Sequence, residues 1–297
     1  MNAHPATRPA AAPRLDAAGV RDHPLCGPLD RWPAEYRGPH RLSHTGWLDF
    51  TSRLERREEV AAVRSAVLPN RRVLDVGGGT GELTRAIAAQ LGHCTTVEPH
   101  RSRVATLRES AETGGIGTIE ILPGHAESLP FSDASFDAVL ASWILPYVDD
   151  IERSVAELAR VCDPAHPEAK VVLIGGSADN ELVSILNESC LTLVGEDHDH
   201  QGYLLATAAQ ALSRHGFGDF ALHRTEAALH FPEPDPEERV RAAASTLVNF
   251  WFEDHPRSEE LRTAIAPSVR RHFARRPHAI GDQGVVLIAR PTPGSTG

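Results

Sequence analysis

The run Val73-Leu74-Asp75-Val76-Gly77-Gly78-Gly79-Thr80-Gly81 is where this sequence offers chemistry most plainly. Apolar strand text runs into glycines and then into helical text. Glycine lets a backbone turn sharply and approach a ligand closely, and amides at a helix N-terminus point at that ligand. A turn with no ligand has little use for glycine at four positions out of five (77–81). The spacing excludes two common signatures. GxGxxG fails at every offset, because the sixth residue is Glu82 from Gly77 and Thr84 from Gly79, while Gly78 meets Thr80 two residues on. A P-loop needs Gly-Lys-Ser/Thr, and the only lysine is Lys170. What fits is Asp-x-Gly-x-Gly-x-Gly on Asp75, Gly77, Gly79 and Gly81.

Three more motifs belong with it. Glu98 ends the next strand, 21 residues beyond Gly77, where a carboxylate in this kind of layout accepts both hydroxyls of a ribose. Further on come Gly124-His125-Ala126-Glu127-Ser128-Leu129-Pro130-Phe131 and Ser135-Phe136-Asp137-Ala138-Val139, followed by Glu157-Leu158-Ala159-Arg160-Val161 on a helix.

With these four motifs in order over about residues 70–175, the chain resembles the class I S-adenosylmethionine-dependent methyltransferases, in the group that includes the ubiquinone/menaquinone-type small-molecule enzymes. The resemblance implies that S-adenosylmethionine is the cofactor. Asp75, Gly77 and Gly79 would line its methionine end, Glu98 its ribose, and His125 and Ala126 its adenine edge. Ser142 and Trp143 would lie beside the sulfonium. It also implies a seven-stranded sheet whose last strand is antiparallel. The sequence departs from the family in three places. His125 stands where many relatives have Asp, Pro146-Tyr147 where many have His, and Asp163-Pro164-Ala165-His166-Pro167 replaces a Pro-Gly-Gly turn.

In such a reaction the methyl group is already activated, so the protein must align an acceptor and exclude water. A base is needed only when the acceptor atom carries a proton. His44, in an aromatic arm, and His200, in Glu196-Asp197-His198-Asp199-His200, are the candidate bases, the second equally readable as a solvated loop. No metal is expected. Tyr36, Trp47, Tyr147 and Trp251 are the candidate acceptor contacts, Tyr147 because the mouth of such sheets lies just past their central strands.

The elements that must hold these groups alternate. Strands are expected at 72–76, 94–97, 118–122, 136–142, 171–175 and 284–290, and helices at 51–67, 81–91, 101–112, 151–162 and 205–215, with two more within 235–275. This β-α-β-α order implies an α/β fold, a Rossmann-like, doubly wound and mostly parallel sheet covered on both faces. The expected division is a disordered tail (1–20), an N-terminal arm and helix acting as a substrate lid (21–67), the cofactor-binding core (68–231), a helical insertion acting as a cap (232–283), and the last strand with its tail (284–297).

Composition narrows the partners. Net charge is -10 and no basic run occurs, so neither nucleic acid nor anionic membrane is an expected partner. No uncharged apolar stretch is long enough to span a bilayer, no apolar h-region marks a secretory signal, and the four cysteines form no metal-binding spacing. A cytoplasmic protein is expected, and a homodimer remains open. The arginine-for-lysine bias suggests a high-GC bacterial source. The reading is a methyltransferase acting on O or N of a small organic molecule in specialised metabolism. The alternative is a protein of the same fold that binds the cofactor but catalyses something else, such as a cyclisation, or serves as a binding module.

Overall fold

The computed structural model describes residues 14–27, 44–114, 117–196 and 201–292. In chain order the elements are α1 (Ala17–Arg21), α2 (His44–Arg53), β1 (Leu54–Glu55), α3 (Arg57–Val67), β2 (Val73–Val76), α4 (Glu82–Leu91), β3 (His93–Glu98), α5 (Arg101–Gly114), β4 (Thr118–Pro123) and β5 (Ala138–Ser142). Then follow α6 (Ile151–Val161), β6 (Lys170–Gly176), α7 (Glu181–Ser189), α8 (Leu191–Val194), α9 (Gly202–Arg214), β7 (Phe217–Thr225), β8 (Ala228–His230), α10 (Pro236–Phe252), α11 (Ser258–Phe273), β9 (Ala279–Gly281) and β10 (Gly284–Pro291).

Seven strands form one sheet in the order β4-β3-β2-β5-β6-β10-β7. Pairs among β2 to β6 are parallel, and β10 runs antiparallel to both β6 and β7. The expected Rossmann-like α/β sheet with its last strand reversed is therefore what forms. Strand side chains alternate between faces. Leu74 and Val76 pack with α6 and α9 in one apolar core, while Val73, Leu140 and Val172 pack with α3 and α4 in another. The central strands β2 and β6 are buried along almost their whole length, as strands covered on both faces must be. The edge strand β4 is largely open.

A third core stands apart from the sheet. It joins Phe50 of α2, Leu182 and Leu186 of α7, Leu247 of α10 and Leu261 and Ile265 of α11. A small antiparallel sheet, β1-β8-β9, stitches these parts together.

Three sequence expectations need correction. The helix expected over 51–67 is broken by β1, where Leu54 pairs with Leu229 and its side chain packs on the third core. The tail expected to be disordered through residue 20 is ordered from Arg14 on. Leu15 exchanges two backbone hydrogen bonds with Phe220 at 2.8 Å, Asp16 caps α1, and Val20 is wholly buried. The cofactor core does not run unbroken to residue 231, because the apolar sides of α7 and α8 pack with α10 and α11 rather than on the large sheet.

Candidate functional site

The C-terminal ends of β2, β3, β4 and β5 open into one cavity of about 1110 Å³. That is the edge where ligands bind on open parallel sheets, and the volume is large enough for a cofactor with a second molecule beside it.

The glycine turn forms its floor. Gly77, Gly79 and Gly81 all have positive φ, at 76°, 58° and 86°, a region that side chains disfavour. They are not equivalent in surroundings. A Cβ on Gly77 would lie 2.4 Å from Ile144, one on Gly78 2.2 Å from Thr96, and one on Gly81 1.7 Å from Leu107. A Cβ on Gly79 meets only the Trp47 ring, at 3.8 Å. Three of these glycines are thus required by the protein's own packing, while Gly79 keeps open space above it for a ligand.

The acids behind the turn are buried. Asp75 accepts a hydrogen bond from Thr84 Oγ1 at 2.6 Å, and burial pushes its carboxyl up to about 6, against the opposing pull of Thr84 and Arg56. Glu98 Oε2 accepts from the Gly79 amide at 3.0 Å, so the acid also holds the turn in place. Its Oε1 accepts from the backbone N–H of His100 at 3.0 Å and lies 2.8 Å from His100 Nδ1. One acceptor position stays open on Oε2. A second ribose hydroxyl on Glu98 requires the exposed His100 ring to turn out.

Around this floor, Ala126 is buried and His125 exposed at the cavity edge. Ser142 Oγ is buried and has no hydrogen-bond partner among the described residues. An orphaned polar atom at this place is costly unless a ligand completes it. With the open face of Gly79 and the free position on Glu98, it makes a set of groups suited to a cofactor with amine, carboxylate and ribose functions.

The next residue, Trp143, is held at a φ of 56°. Its Nε1 donates to Glu59 Oε2 at 2.8 Å, and Glu59, wholly buried, pairs with Arg56 at 3.3 Å. Burial raises the Glu59 carboxyl above the usual range, opposed by Arg56 and Trp143. Arg56 also binds Glu82 at 2.7 Å, at the start of α4. This chain of contacts ties α3 to the turn and to the end of β5.

The opposite wall is aromatic. Phe50 and Phe250 stack with ring centroids 3.9 Å apart, and Trp251 Nε1 donates to the Tyr147 hydroxyl at 3.1 Å. The structure thus brings together Tyr147 and Trp251, which lie 104 residues apart along the chain. Trp47 stands elsewhere, against the glycine turn, with the Arg103 guanidinium 4.7 Å from the centre of its ring. It lies on the glycine-turn side of the cavity, away from the Tyr147–Trp251 contact. Tyr36 and His200 lie outside the described residues, and so does the side chain of His44. Among the described residues no group of His, Cys, Asp and Glu could hold a metal ion, and no helix is long and apolar enough to cross a membrane.

Sequence reasoning missed Thr84, Arg103, Arg56 and Asp282. The first two follow motifs already in hand, in the first turns of the helices after β2 and β3. The last two carry no local signal, since Arg56 is read through Glu82 and Asp282 through Asn180, both outside their own segments.

Residues 74–165 match the family model described as a methyltransferase domain. The ubiquinone/menaquinone biosynthesis C-methyltransferase UbiE of Methylobacterium nodulans is 39% identical over 111 residues, which is 35% of this chain and 44% of that protein. The uncharacterized methyltransferase YcgJ of Bacillus subtilis is 33% identical over 90 residues, covering 30% of this chain and 36% of that one. The chain thus spans less than half the length of these curated relatives. Among solved structures, the YcgJ protein from Bacillus subtilis aligns with a TM-score of 0.55 at 16% identity, covering 79% of this chain and 99% of that one. A putative methyltransferase from Bacillus halodurans gives 0.54 at 18% identity, over 79% and 100%. At such identities the likeness is one of fold, and that fold is the class I methyltransferase fold.

Proposed function

We propose that this protein binds S-adenosylmethionine on the glycine turn and transfers its methyl group to an oxygen or nitrogen atom of a small organic acceptor. The observation that carries the reading is the convergence of three of the four sequence motifs, the glycine turn, Glu98 and the stretch 124–127, on one cavity at the C-terminal edge of the sheet; the fourth buttresses the third, with Glu157 accepting from the Leu129 amide at 2.7 Å. The methyltransferase-domain match over 74–165 supports it independently. When bound, the cofactor supplies a methyl carbon already activated on a sulfonium.

The chain's own residues do the rest. Asp75 and the Gly77 and Gly79 backbone receive the amino-acid end. Glu98 takes a ribose hydroxyl on its open Oε2 position, and Ala126 and His125 border the base. Ser142 Oγ and the fixed Trp143 ring line the region where donor and acceptor meet. Trp47 and Arg103 close over the turn and exclude water. Of the expected lid 21–67, α2 (His44–Arg53) covers the cavity, whereas α3 is built into the core of the large sheet through Val63 and Val67; 232–283 acts as a cap, and the aromatic wall of Phe50, Phe250 and Trp251, with Tyr147, shapes the acceptor chamber. The net charge of -10 favours a small acceptor over a nucleic acid. The arginine-rich, nearly lysine-free composition fits a high-GC bacterial source, and we place the acceptor in specialised metabolism as part of the proposal.

Incubation with methyl-labelled S-adenosylmethionine and a cell extract, read by mass spectrometry, tests the proposal. A labelled small molecule whose fragments place the label on O or N is the expected result. A label on carbon would correct the acceptor atom. A product of unchanged mass alongside intact cofactor would replace transfer with a non-methylating reaction on the same fold.

A further inference from the structure

One carboxylate that the cofactor does not claim lines the cavity while more than nine-tenths buried. Asp282, 7% exposed, lies in the turn between β9 and β10. Its backbone N–H donates to Ala227 O at 2.8 Å, and its Oδ1 accepts from Asn180 Nδ2 at 2.7 Å. Among the described residues no donor reaches Oδ2. The cation it interacts with, Arg56, is already engaged by Glu82 and Glu59. A carboxylate held out of water with so little compensation is costly, and such groups mark working positions when they face a cavity. The cavity it lines also carries an apolar and aromatic set, Phe50, Leu54, Leu182, Val183 and Phe250.

We propose that Asp282 receives the proton of the acceptor's reacting hydroxyl or amine, and that the acceptor is a ring-bearing, otherwise apolar molecule with that donor group at its polar end. The inference rests on the methyltransferase reading above. As the acceptor's oxygen or nitrogen gains the methyl carbon, its proton passes to Asp282 Oδ2. The electron pair of the broken carbon–sulfur bond stays on sulfur, so charge and atoms balance. Burial raises the Asp282 carboxyl to about 6, close to the neutral pH at which a proton acceptor works well. The charged groups that act on it are Arg56 and Glu59 on α3, and Glu181 on α7 accepts from the adjoining Gly281 amide.

The test needs no knowledge of the natural acceptor. Full-length protein saturated with S-adenosylmethionine is titrated with 2-phenylethanol, 2-phenylethylamine and ethylbenzene, followed by ligand-observed NMR. The wild type should prefer the two donor-bearing probes by roughly tenfold, and Asp282→Ala should level all three. Asp282→Asn, which keeps the shape, covers the case in which the alanine variant does not fold; it should lose the preference for the charged amine. Equal binding of ethylbenzene in the wild type, or a preference that survives in both variants, overturns the proposal. Failure of all three probes to bind overturns the apolar chamber and the proposal with it. Cofactor affinity is measured on the same samples. A wild type that does not bind S-adenosylmethionine marks failure of the cofactor reading, whereas normal cofactor binding without probe preference marks failure of Asp282 alone.

Discussion

The two halves of the cavity are built by opposite means. The glycine half comes from consecutive residues, since β2, its turn and α4 are one short stretch and Glu98 ends the next strand. The aromatic half is assembled from distant parts: Phe50 meets Phe250, Trp251 meets Tyr147, and Asp282 meets Asn180. The first half is rigid through backbone geometry and buried acids. The second is held by side-chain packing around its own core. Parallel sheets concentrate backbone amides at one edge whatever the acceptor, so a local stretch suffices there. Acceptor shape has no such template and must be supplied by tertiary contacts.

The sharpest way to break this contrast is within the glycine turn itself. Gly79→Val puts a side chain into the ligand space, and the expected outcome is loss of S-adenosylmethionine binding by isothermal titration. Its positive φ adds only about 1–3 kcal/mol of destabilisation. Gly81→Val clashes with Leu107 as well as straining the backbone, and should cost more than about 3 kcal/mol in urea unfolding. Similar stabilities for the two variants would refute the distinction between a ligand-facing and a packing glycine.

Asp75→Asn comes next. A carboxyl raised to about 6 in the folded protein, against about 4 when unfolded, makes the folded state the stronger proton binder. The sign follows from linkage. The folded state gives up stability as pH rises from about 4 to 6, and the whole cost, about 3 kcal/mol as an upper figure, is present above pH 6. The asparagine variant should therefore be more stable than the wild type at pH 7 and equal to it near pH 4, while binding the cofactor more weakly. Denaturation curves in which the difference does not grow between pH 4 and 6 would contradict this assignment.

Smaller effects sharpen the boundary between the halves. Glu98→Ala should weaken cofactor binding by about 1–3 kcal/mol through the lost hydroxyl contact and the released Gly79 amide. Trp251→Phe removes one hydrogen bond to Tyr147, costing about 1 kcal/mol of stability, and should raise the acceptor KM with cofactor affinity unchanged. A shift of cofactor affinity in the Trp251 variant would mean that the halves are coupled.

The same contrast explains what could be read in advance. The strand expected over 118–122 forms as Thr118–Pro123, and that over 284–290 as Gly284–Pro291, because alternation and glycine punctuation are local signals. The glycine turn and Glu98, proposed above to hold the cofactor, sit within those signals. The helix expected over 51–67 failed because Leu54 answers to Leu229, far along the chain, and tertiary pairing overrode helical spacing. Asp282 sits in a Gly-Asp-Gln-Gly turn that reads as ordinary surface text. Only the fold shows that Asn180 and Arg56 enclose it.

β10 lies between β6 and β7, antiparallel to both. On the ribosome, then, a chain made only as far as β7 has every crossover of the parallel sheet, but β6 is paired only on its β5 side and β7 only at the Leu15 bridge. The two edges that β10 joins stay open until it is made, one of them among the most apolar in the molecule. Open apolar edges are templates for pairing with other chains, and late non-local pairing is slow. The nascent protein is therefore expected to depend on chaperone protection until Gly284–Pro291 emerges, and truncation before β10 should yield aggregates rather than a smaller folded domain.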